Sequence, residues 1–96
     1  MKQFYLYIMA SKPNGTLYVG ITNNLVRRVY EHKHDMIDGF TKKYQVHQLV
    51  CYECYPSSVE AISREKCVKR WKRSWKTKLI EEKNPAWDDL YCKIIR

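Results

Sequence analysis

The sequence predicts an α/β (α+β) fold, in which a small, three-stranded, largely antiparallel sheet is flanked by helices. Runs of β-branched and aromatic residues predict the strands at Phe4–Met9, Thr16–Ile21 and Gln48–Glu53. Apolar residues at helical spacing predict two helices, the first from Leu25 to near His34 and the second over about Ser58–Glu81. A chain of 96 residues suits a single domain over 1–96, with a core at about 4–91 and a tail at 92–96.

The first two strands are predicted to form a hairpin, because Pro13-Asn14-Gly15 between them is a turn signal. Side chains alternate between the two faces of a strand, so Tyr18 and Gly20 share one face of the second strand. If Tyr7 looks out on that same face, two phenols stand beside a glycine. The missing side chain of Gly20 would leave room for a ligand to approach.

The first helix is predicted to begin at Asn23 or Asn24, since either side chain can cap the free amides of the first turn. Leu25, Val29 and His32 fall on one helical face. Arg28 lies at the edge of that face, one turn before His32. Strand and helix periodicity therefore predict that a phenol, a guanidinium and an imidazole converge.

The second helix is predicted to bury a stripe formed by Ala61, Val68, Trp75 and Leu79, and Glu65 falls inside that stripe. A carboxylate on the inward face of a small domain is costly to desolvate unless it meets a cation or a metal. The alternative is a surface glutamate paired with Lys69 one turn later. Beyond Pro85, which ends this helix, residues 86–91 are predicted to form a last helical turn over the core.

The charge balance indicates a polyanionic partner, because 18 Lys and Arg residues face only 10 Asp and Glu residues, a formal net charge of +8. Nucleic acid is the first candidate, and no long apolar run or amphipathic helix favours a membrane. The residues predicted to contact nucleic acid are Lys42, Lys43, Lys69, Arg70, Lys72, Arg73 and Lys76. Trp71 and Trp75 stand among these cations, where they serve either core packing or base stacking.

No signal peptide is recognised, so a cytoplasmic location with reduced cysteines is expected. Cys51 and Cys54 have the C-x-x-C spacing, but Cys67 and Cys92 form no second close pair. The favoured interpretation is that the cysteines are small buried hydrophobic residues. A zinc or redox protein is a third and weaker hypothesis.

These residues resemble the motifs of the GIY-YIG nuclease superfamily, and most closely its short stand-alone bacterial branch, the UPF0213-like proteins. The resemblance extends from Tyr5 to Leu90. Tyr5-Leu6-Tyr7 stands in place of Gly-Ile-Tyr, and Tyr18-Val19-Gly20 in place of Tyr-Ile-Gly. The other positions that match are Arg28, His32, Glu65 and Asn84. The chain departs from some members in having no cation directly after Gly20, which leaves open which group deprotonates Tyr18.

The resemblance implies an endonuclease that hydrolyses phosphodiester bonds in DNA, in a repair- or structure-directed role, with RNA as an open alternative. Glu65 would hold one Mg²⁺ or Mn²⁺, and Arg28 would grip the phosphate. Tyr18 would take a proton from the attacking water, His32 could relay it, and Tyr7 would position the water or the phosphate. Asn84 would orient the loop or Glu65. The products would carry a 5′-phosphate and a 3′-hydroxyl.

The main alternative is a nucleic-acid-binding module without turnover, since small domains can lose their chemistry and keep their fold. The basic helix, the aromatic residues and the net charge fit both functions. The identities of Tyr7, Tyr18, Arg28, Glu65 and Asn84 favour the enzyme, because a binding module needs none of them. The sequence indicates no obligate protein partner.

Overall fold

A computed structural model describes residues 3–95, and its centre is a three-stranded sheet. The strands are β1 (Phe4–Ala10), β2 (Leu17–Thr22) and β3 (Gln48–Tyr55), in the spatial order β2-β1-β3. Both neighbouring pairs are antiparallel, as the sequence predicts. β3 runs two residues further than predicted.

The hairpin register places Tyr7 directly opposite Gly20. Asn14 adopts a positive φ of 59° in the connecting turn, which the Gly15 amide closes by donating to the Lys12 carbonyl. On the other side of β1, the pairing with β3 shifts between Ile8 and Met9, where a β-bulge inserts one residue. The catalytic candidates of the hairpin are therefore fixed by a regular ladder, and the irregularity lies on the far strand.

The sheet separates two hydrophobic clusters, because alternate residues of each strand point to opposite faces. Leu6, Ile8 and Val19 pack against α3 (Ser58–Arg70) and α4 (Arg73–Lys83). The opposite face carries Tyr7 and Met9, which pack against α1 (Leu25–Lys33). Tyr18 belongs to this second face, as predicted from the alternation.

Helix α1 begins and ends as the sequence predicts. The side chain of Asn24 accepts a hydrogen bond from the Arg27 amide, and His34 is the C-cap. The buried residues of this helix are Leu25, Val29 and His32. A single turn, α2 (Phe40–Lys43), follows before β3.

The prediction of one continuous helix over 58–81 was wrong, because the backbone becomes extended at Trp71 and Lys72. A straight helix of that length would measure roughly 36 Å, which exceeds the longest dimension of the molecule, 32 Å. Breaking the helix lets both segments lie over the same small sheet. No glycine or proline marks the break.

The break also changes which residues of the second helical segment are buried. Trp75, predicted on the apolar stripe, is 52% exposed, whereas Ile80 is 1% exposed and belongs to the core. Ala61 and Val68, which precede the break, are buried as predicted. Helical periodicity predicts which residues share a face only within one continuous helix. The prediction of buried residues is therefore wrong only beyond the point where α3 ends.

The C-terminal region also differs from its prediction. Residues 86–90 are not helical, and the last turn, α5 (Tyr91–Ile94), begins at the end of the predicted turn and lies mostly in the predicted tail at 92–96. Trp87 covers the core with a positive φ of 59°, which a helix does not allow. Asp89 caps α5 by accepting from the Tyr91 amide and also accepts from the Leu49 amide of β3. These bonds fix an irregular loop where apolar content alone suggests a helix.

No helix within residues 3–95 combines the length and the apolar character needed to cross a membrane.

Candidate active site

Tyr7 reaches across β2 because Gly20 has no side chain. A Cβ at Gly20 would lie 2.7 Å from the Tyr7 hydroxyl oxygen and 2.8 Å from Cζ. It would also lie 3.1 Å from the Tyr18 ring. Such distances are too short for carbon, so the two phenols occupy the space that glycine leaves open. The sequence prediction that they stand together beside Gly20 agrees with this geometry.

Tyr7, His32 and Thr41 form a buried chain of hydrogen bonds. The Tyr7 hydroxyl lies 3.0 Å from His32 Nε2, and Thr41 Oγ1 lies 2.9 Å from His32 Nδ1. A neutral imidazole donates at one nitrogen and accepts at the other. The two tautomers therefore give hydrogen-bond chains of opposite donor-to-acceptor direction. His32 is therefore oriented from both sides and is able to pass a proton between two hydroxyl groups.

The pKa values of this buried pair are shifted in opposite directions. Burial, together with the nearby positive charge of the Arg28 guanidinium, lowers the pKa of His32 to about 4. Burial raises the pKa of Tyr7, the neighbouring Tyr18 adds to the rise, and Arg28 opposes it. Both groups are consequently neutral at pH 7. Tyr7 keeps its proton, which suits a hydrogen-bonding role and not that of a base.

Tyr18 lies between His32 and Phe40, with ring centroids 5.4 Å from His32 and 6.1 Å from Phe40. Its ring is half-buried and lines a cavity of about 320 Å³ at the outer edge of β2. Lys69 from α3 and Lys76 from α4 line the same cavity. Tyr18 thus opens onto a basic cavity between the two helical layers.

Arg28 projects from α1 with 41% of its side chain exposed. Its Nε atom lies 3.3 Å from a carboxylate oxygen of Glu31, which orients the guanidinium. Its influence on the pKa values of Tyr7 and His32 shows that the charge lies close to both groups. An oriented and accessible guanidinium of this kind can bind a phosphate in a bidentate manner.

Glu65 connects to the cavity through Lys69. Its side chain is 18% exposed, and one carboxylate oxygen lies 3.3 Å from Lys69 Nζ. Both sequence interpretations thus describe part of the structure, since Glu65 is largely covered and is also paired with Lys69. Lys69 itself is half-exposed, so it can leave the carboxylate at little cost.

The donor set around Glu65 suits only a cation that keeps most of its water. Within residues 3–95, no three His, Cys, Asp or Glu side chains are placed to share a metal ion. Mg²⁺ is commonly held by one or two carboxylates together with waters and substrate phosphates. A single glutamate, joined through Lys69 to the cavity beside Tyr18, fits that pattern, whereas it does not fit zinc.

Asn84 lies apart from these residues. It is buried as the C-cap of α4, and its Nδ2 donates to the carbonyls of Val50 and Asp88 at 3.1 and 2.9 Å. Its side-chain oxygen accepts from the Asp88 amide. It lines a different cavity, of about 260 Å³, beside β3. The structure therefore gives Asn84 the loop-orienting role, and its grouping with the reacting residues stays a prediction.

The predicted basic residues do not form one uniform surface. Lys69 and Lys76 face the Tyr18 cavity, and Lys72 lies 5.2 Å from the Trp75 ring. Arg73 donates to the Gly15 carbonyl and so ties α4 to the hairpin turn. The remaining predicted contacts, Lys42, Lys43 and Arg70, are exposed at the surface.

The prediction that the cysteines are small buried hydrophobic residues was wrong for three of the four. Cys54, Cys67 and Cys92 are exposed, and only Cys51 packs against the core. Cys51 and Cys54 are three apart on β3, so their side chains point to opposite faces of the sheet. They cannot share one metal ion, which removes the spacing argument for a zinc site.

Sequence reasoning missed two residues of the site, Thr41 and Phe40. Both belong to the single turn α2, a segment interpreted only as basic residues beside aromatic ones. Thr41 is 4% exposed, and its hydroxyl holds His32. The isolated apolar position of Phe40 beside Gly39 carries no periodic signal, so only the tertiary contact with Tyr18 reveals it.

This hairpin site on a three-stranded antiparallel sheet is typical of one class of protein, the GIY-YIG domains. The sequence model described as the GIY-YIG catalytic domain matches residues 3–79, and the chain belongs to the GIY-YIG family. Within the family it is similar to UPF0213 proteins.

Two curated relatives and one solved structure illustrate that similarity. A UPF0213 protein of Staphylococcus saprophyticus is 34% identical over 82 residues, covering 85% of this chain and 99% of the relative. A UPF0213 protein of Staphylococcus haemolyticus is 36% identical over 83 residues, covering 86% and 100%. The solution NMR structure of a UPF0213 protein from Bacillus halodurans has a TM-score of 0.56 and 28% identity, covering 91% of this chain and 92% of that one.

Proposed function

We propose that the protein is a metal-dependent endonuclease that hydrolyses phosphodiester bonds in DNA. The supporting observation is that Tyr7, Tyr18 and His32 meet beside Arg28, next to a cavity that Lys69 connects to Glu65. Tyr18 lines this cavity, Arg28 lines a separate cavity of about 140 Å³ at the start of α1, and Glu65 is joined to the Tyr18 cavity through Lys69. These three groups would supply a base, an anion clamp and a metal ligand. Membership of the GIY-YIG family supports the same reaction class.

In this proposal, Arg28 binds the scissile phosphate. Its Nε lies 3.3 Å from a Glu31 carboxylate oxygen, and a guanidinium offers further N–H donors on its terminal nitrogens for a pair of phosphate oxygens. Negative charge builds on the phosphate as water attacks. A fixed guanidinium therefore stabilises the transition state more than it stabilises the ground state. The Arg28 side chain is exposed enough for the phosphate to reach it.

Tyr18 would take the proton of the attacking water as a phenolate, after its own phenol proton has left to solvent through the open cavity that it lines. Tyr7 would hold the water or the phosphate by hydrogen bonding, since its raised pKa keeps it protonated. His32, neutral above pH 4, lies within hydrogen-bond distance of the Tyr7 hydroxyl at Nε2 and of the Thr41 hydroxyl at Nδ1. The contact with Tyr7 is the one through which His32 could relay a proton.

Glu65 is the residue that would hold one Mg²⁺ or Mn²⁺, after Lys69 moves from its carboxylate. The cation would supply charge stabilisation to the phosphate and its leaving group. The single carboxylate fits a hydrated Mg²⁺, and this fit is the structural support for the cofactor. The exposed cations supply the attraction for DNA, with RNA as the alternative, and the cytoplasm remains the predicted location.

The test is cleavage of labelled branched and linear DNAs by the pure protein with Mg²⁺, Mn²⁺ or a chelator. We expect Glu65→Ala to reduce metal-dependent cleavage by at least about a hundredfold, since several kcal/mol of stabilisation would be lost. Retention of DNA by the variant should be nearly unchanged. Glu82→Ala is the matched control, because Glu82 is an exposed carboxylate on α4, away from Tyr18.

Full activity of Glu65→Ala would refute the metal assignment. Retention of DNA without cleavage by the wild-type protein under every metal condition would instead favour the binding module. The observation that favours this second candidate is the exposed Trp75 with Lys72 over its ring, since such a pair binds nucleic acid without any chemistry.

A further inference from the structure

Two aromatic side chains of the α2 turn lie at the surface next to the candidate active site. Phe40 is 45% exposed and Tyr44 is 46% exposed, and their ring centroids are 4.8 Å apart. Large exposed rings held together on one turn contribute little to the core. Phe40 lines the adjoining cavity, and Tyr44 lies beside Phe40.

Phe40 continues this aromatic surface into the site. Its ring lies 6.1 Å from the ring of Tyr18, with an angle of 30° between the two planes. Phe40 and Tyr18 both line the cavity of about 320 Å³, together with the cations Lys69 and Lys76. The lining of the cavity is therefore both aromatic and basic.

The outer end of the aromatic surface is basic as well. Lys43 Nζ lies 5.3 Å from the centroid of the Tyr44 ring, and Lys42 is on the same turn. Lys42 is paired with the exposed Asp38 at 3.4 Å, an ion pair that is easily exchanged for a phosphate. A chain of phosphates carrying unstacked bases complements this order of rings and cations.

We propose that Phe40 and Tyr44 form a base-stacking subsite, which takes an unpaired nucleobase next to the scissile phosphate. The inference rests on the proposed function and names the kind of substrate for it. A base inside a duplex is covered on both faces by its neighbours and cannot stack on Phe40. The subsite therefore selects single-stranded segments, such as displaced strands or the arms of branched nucleic acids.

The experiment measures binding by the full chain in the presence of a chelator, so that cleavage plays no part. The probes are a single-stranded oligonucleotide containing the fluorescent base 2-aminopurine and a duplex of the same length. We expect the double variant F40L/Y44L to bind the single strand about tenfold more weakly or worse, since stacking contributes at least about 1.4 kcal/mol per base. Affinity for the duplex should change by less than about twofold. Quenching of 2-aminopurine by stacking should disappear.

Matched variants separate stacking from folding. Tyr30→Leu removes a ring of the same 46% exposure from α1, and it should leave single-strand affinity and quenching as in the wild type. Phe40→Tyr keeps a ring at the subsite and should keep the quenching. Circular dichroism of each variant establishes that the fold is retained.

Unchanged single-strand affinity in F40L/Y44L, or equal losses for single strand and duplex, would overturn the subsite and leave the nuclease proposal standing. If the wild-type protein binds neither probe, the proposed function fails and the subsite fails with it. The two failures are thus distinguished by the wild-type measurement alone.

Discussion

At the scale of single residues, Gly20 determines whether the site can form. Tyr7 is 1% exposed and cannot swing outward, so its ring must lie over the backbone of β2. Only glycine allows that approach, because any Cβ would overlap the phenol. The smallest residue of the hairpin thus decides the position of its largest polar group.

Gly20→Ala should therefore reduce the free energy of unfolding by about 1–3 kcal/mol, the cost of overpacking a well-packed region. It should also lower the rate of DNA cleavage, because Tyr7 is pushed from His32. Chemical denaturation and a cleavage assay on the same preparation measure the two effects. Wild-type stability together with wild-type cleavage would contradict the close approach.

His32 makes stability depend on pH. The unfolded chain binds a proton at the ordinary histidine pKa of 6.5, while the folded protein resists it until about 4. Between these values the unfolded state holds more protons, so stability falls as the pH drops from 6.5 to 4. At pH 4 the loss reaches roughly 3 kcal/mol.

His32→Gln should remove this part of the pH dependence. Urea denaturation at several pH values between 7 and 4 measures the slope for each protein. His34→Gln changes an exposed histidine at the C-cap of α1 and is the control, with a slope like that of the wild type. Equal slopes for His32→Gln and the wild type would show that His32 is not held neutral by burial.

At the scale of elements, sequence periodicity predicts what lies within one regular segment. It places Tyr18 and Gly20 on one face of β2, and Leu25, Val29 and His32 on one face of α1. It fails where a helix breaks without glycine or proline, as at Trp71, because the cause is the small extent of the sheet beneath. It also misses Thr41 and Phe40, since a four-residue turn shows no period.

Asn84 joins three elements, and its loss should affect stability before chemistry. Asn84→Ala leaves the Val50 carbonyl and the Asp88 backbone groups without their partner. We expect the free energy of unfolding to fall by about 1–3 kcal/mol, while the folded protein keeps its cleavage rate. Denaturation and cleavage at low temperature check the two parts.

Asn23→Ala is the comparison for that test, because Asn23 is exposed at the start of the α1 segment and its loss should leave stability nearly unchanged. A variant Asn84→Ala that is as stable as the wild type but inactive would assign Asn84 to the reaction.

At the scale of the whole molecule, the site lies where the two sides of the sheet meet. α1 covers one face and α3 the other, so Glu65 and Arg28 belong to opposite layers. Glu65 is joined through Lys69 to the cavity beside Tyr18, whereas Arg28 lines a cavity at the start of α1. In the part of the chain that the structure describes, the order β2-β1-β3 leaves the outer edge of β2, where Tyr18 lies, free of a further strand. Composition predicts that the protein has a sheet and a basic surface. The position of Tyr18 at the edge of the sheet depends on strand order, which sequence periodicity does not specify.

The burial of Tyr7 within the core has a consequence for tracing the reaction through sequences. A relative that has lost its chemistry would still need a ring of this size at this place, since an empty space there would weaken the fold. Arg28 and Glu65 are more exposed to solvent, so the packing of the core does not require their side chains. The presence of Arg28 and Glu65 is therefore a better indication than the presence of Tyr7 that a relative is an active enzyme.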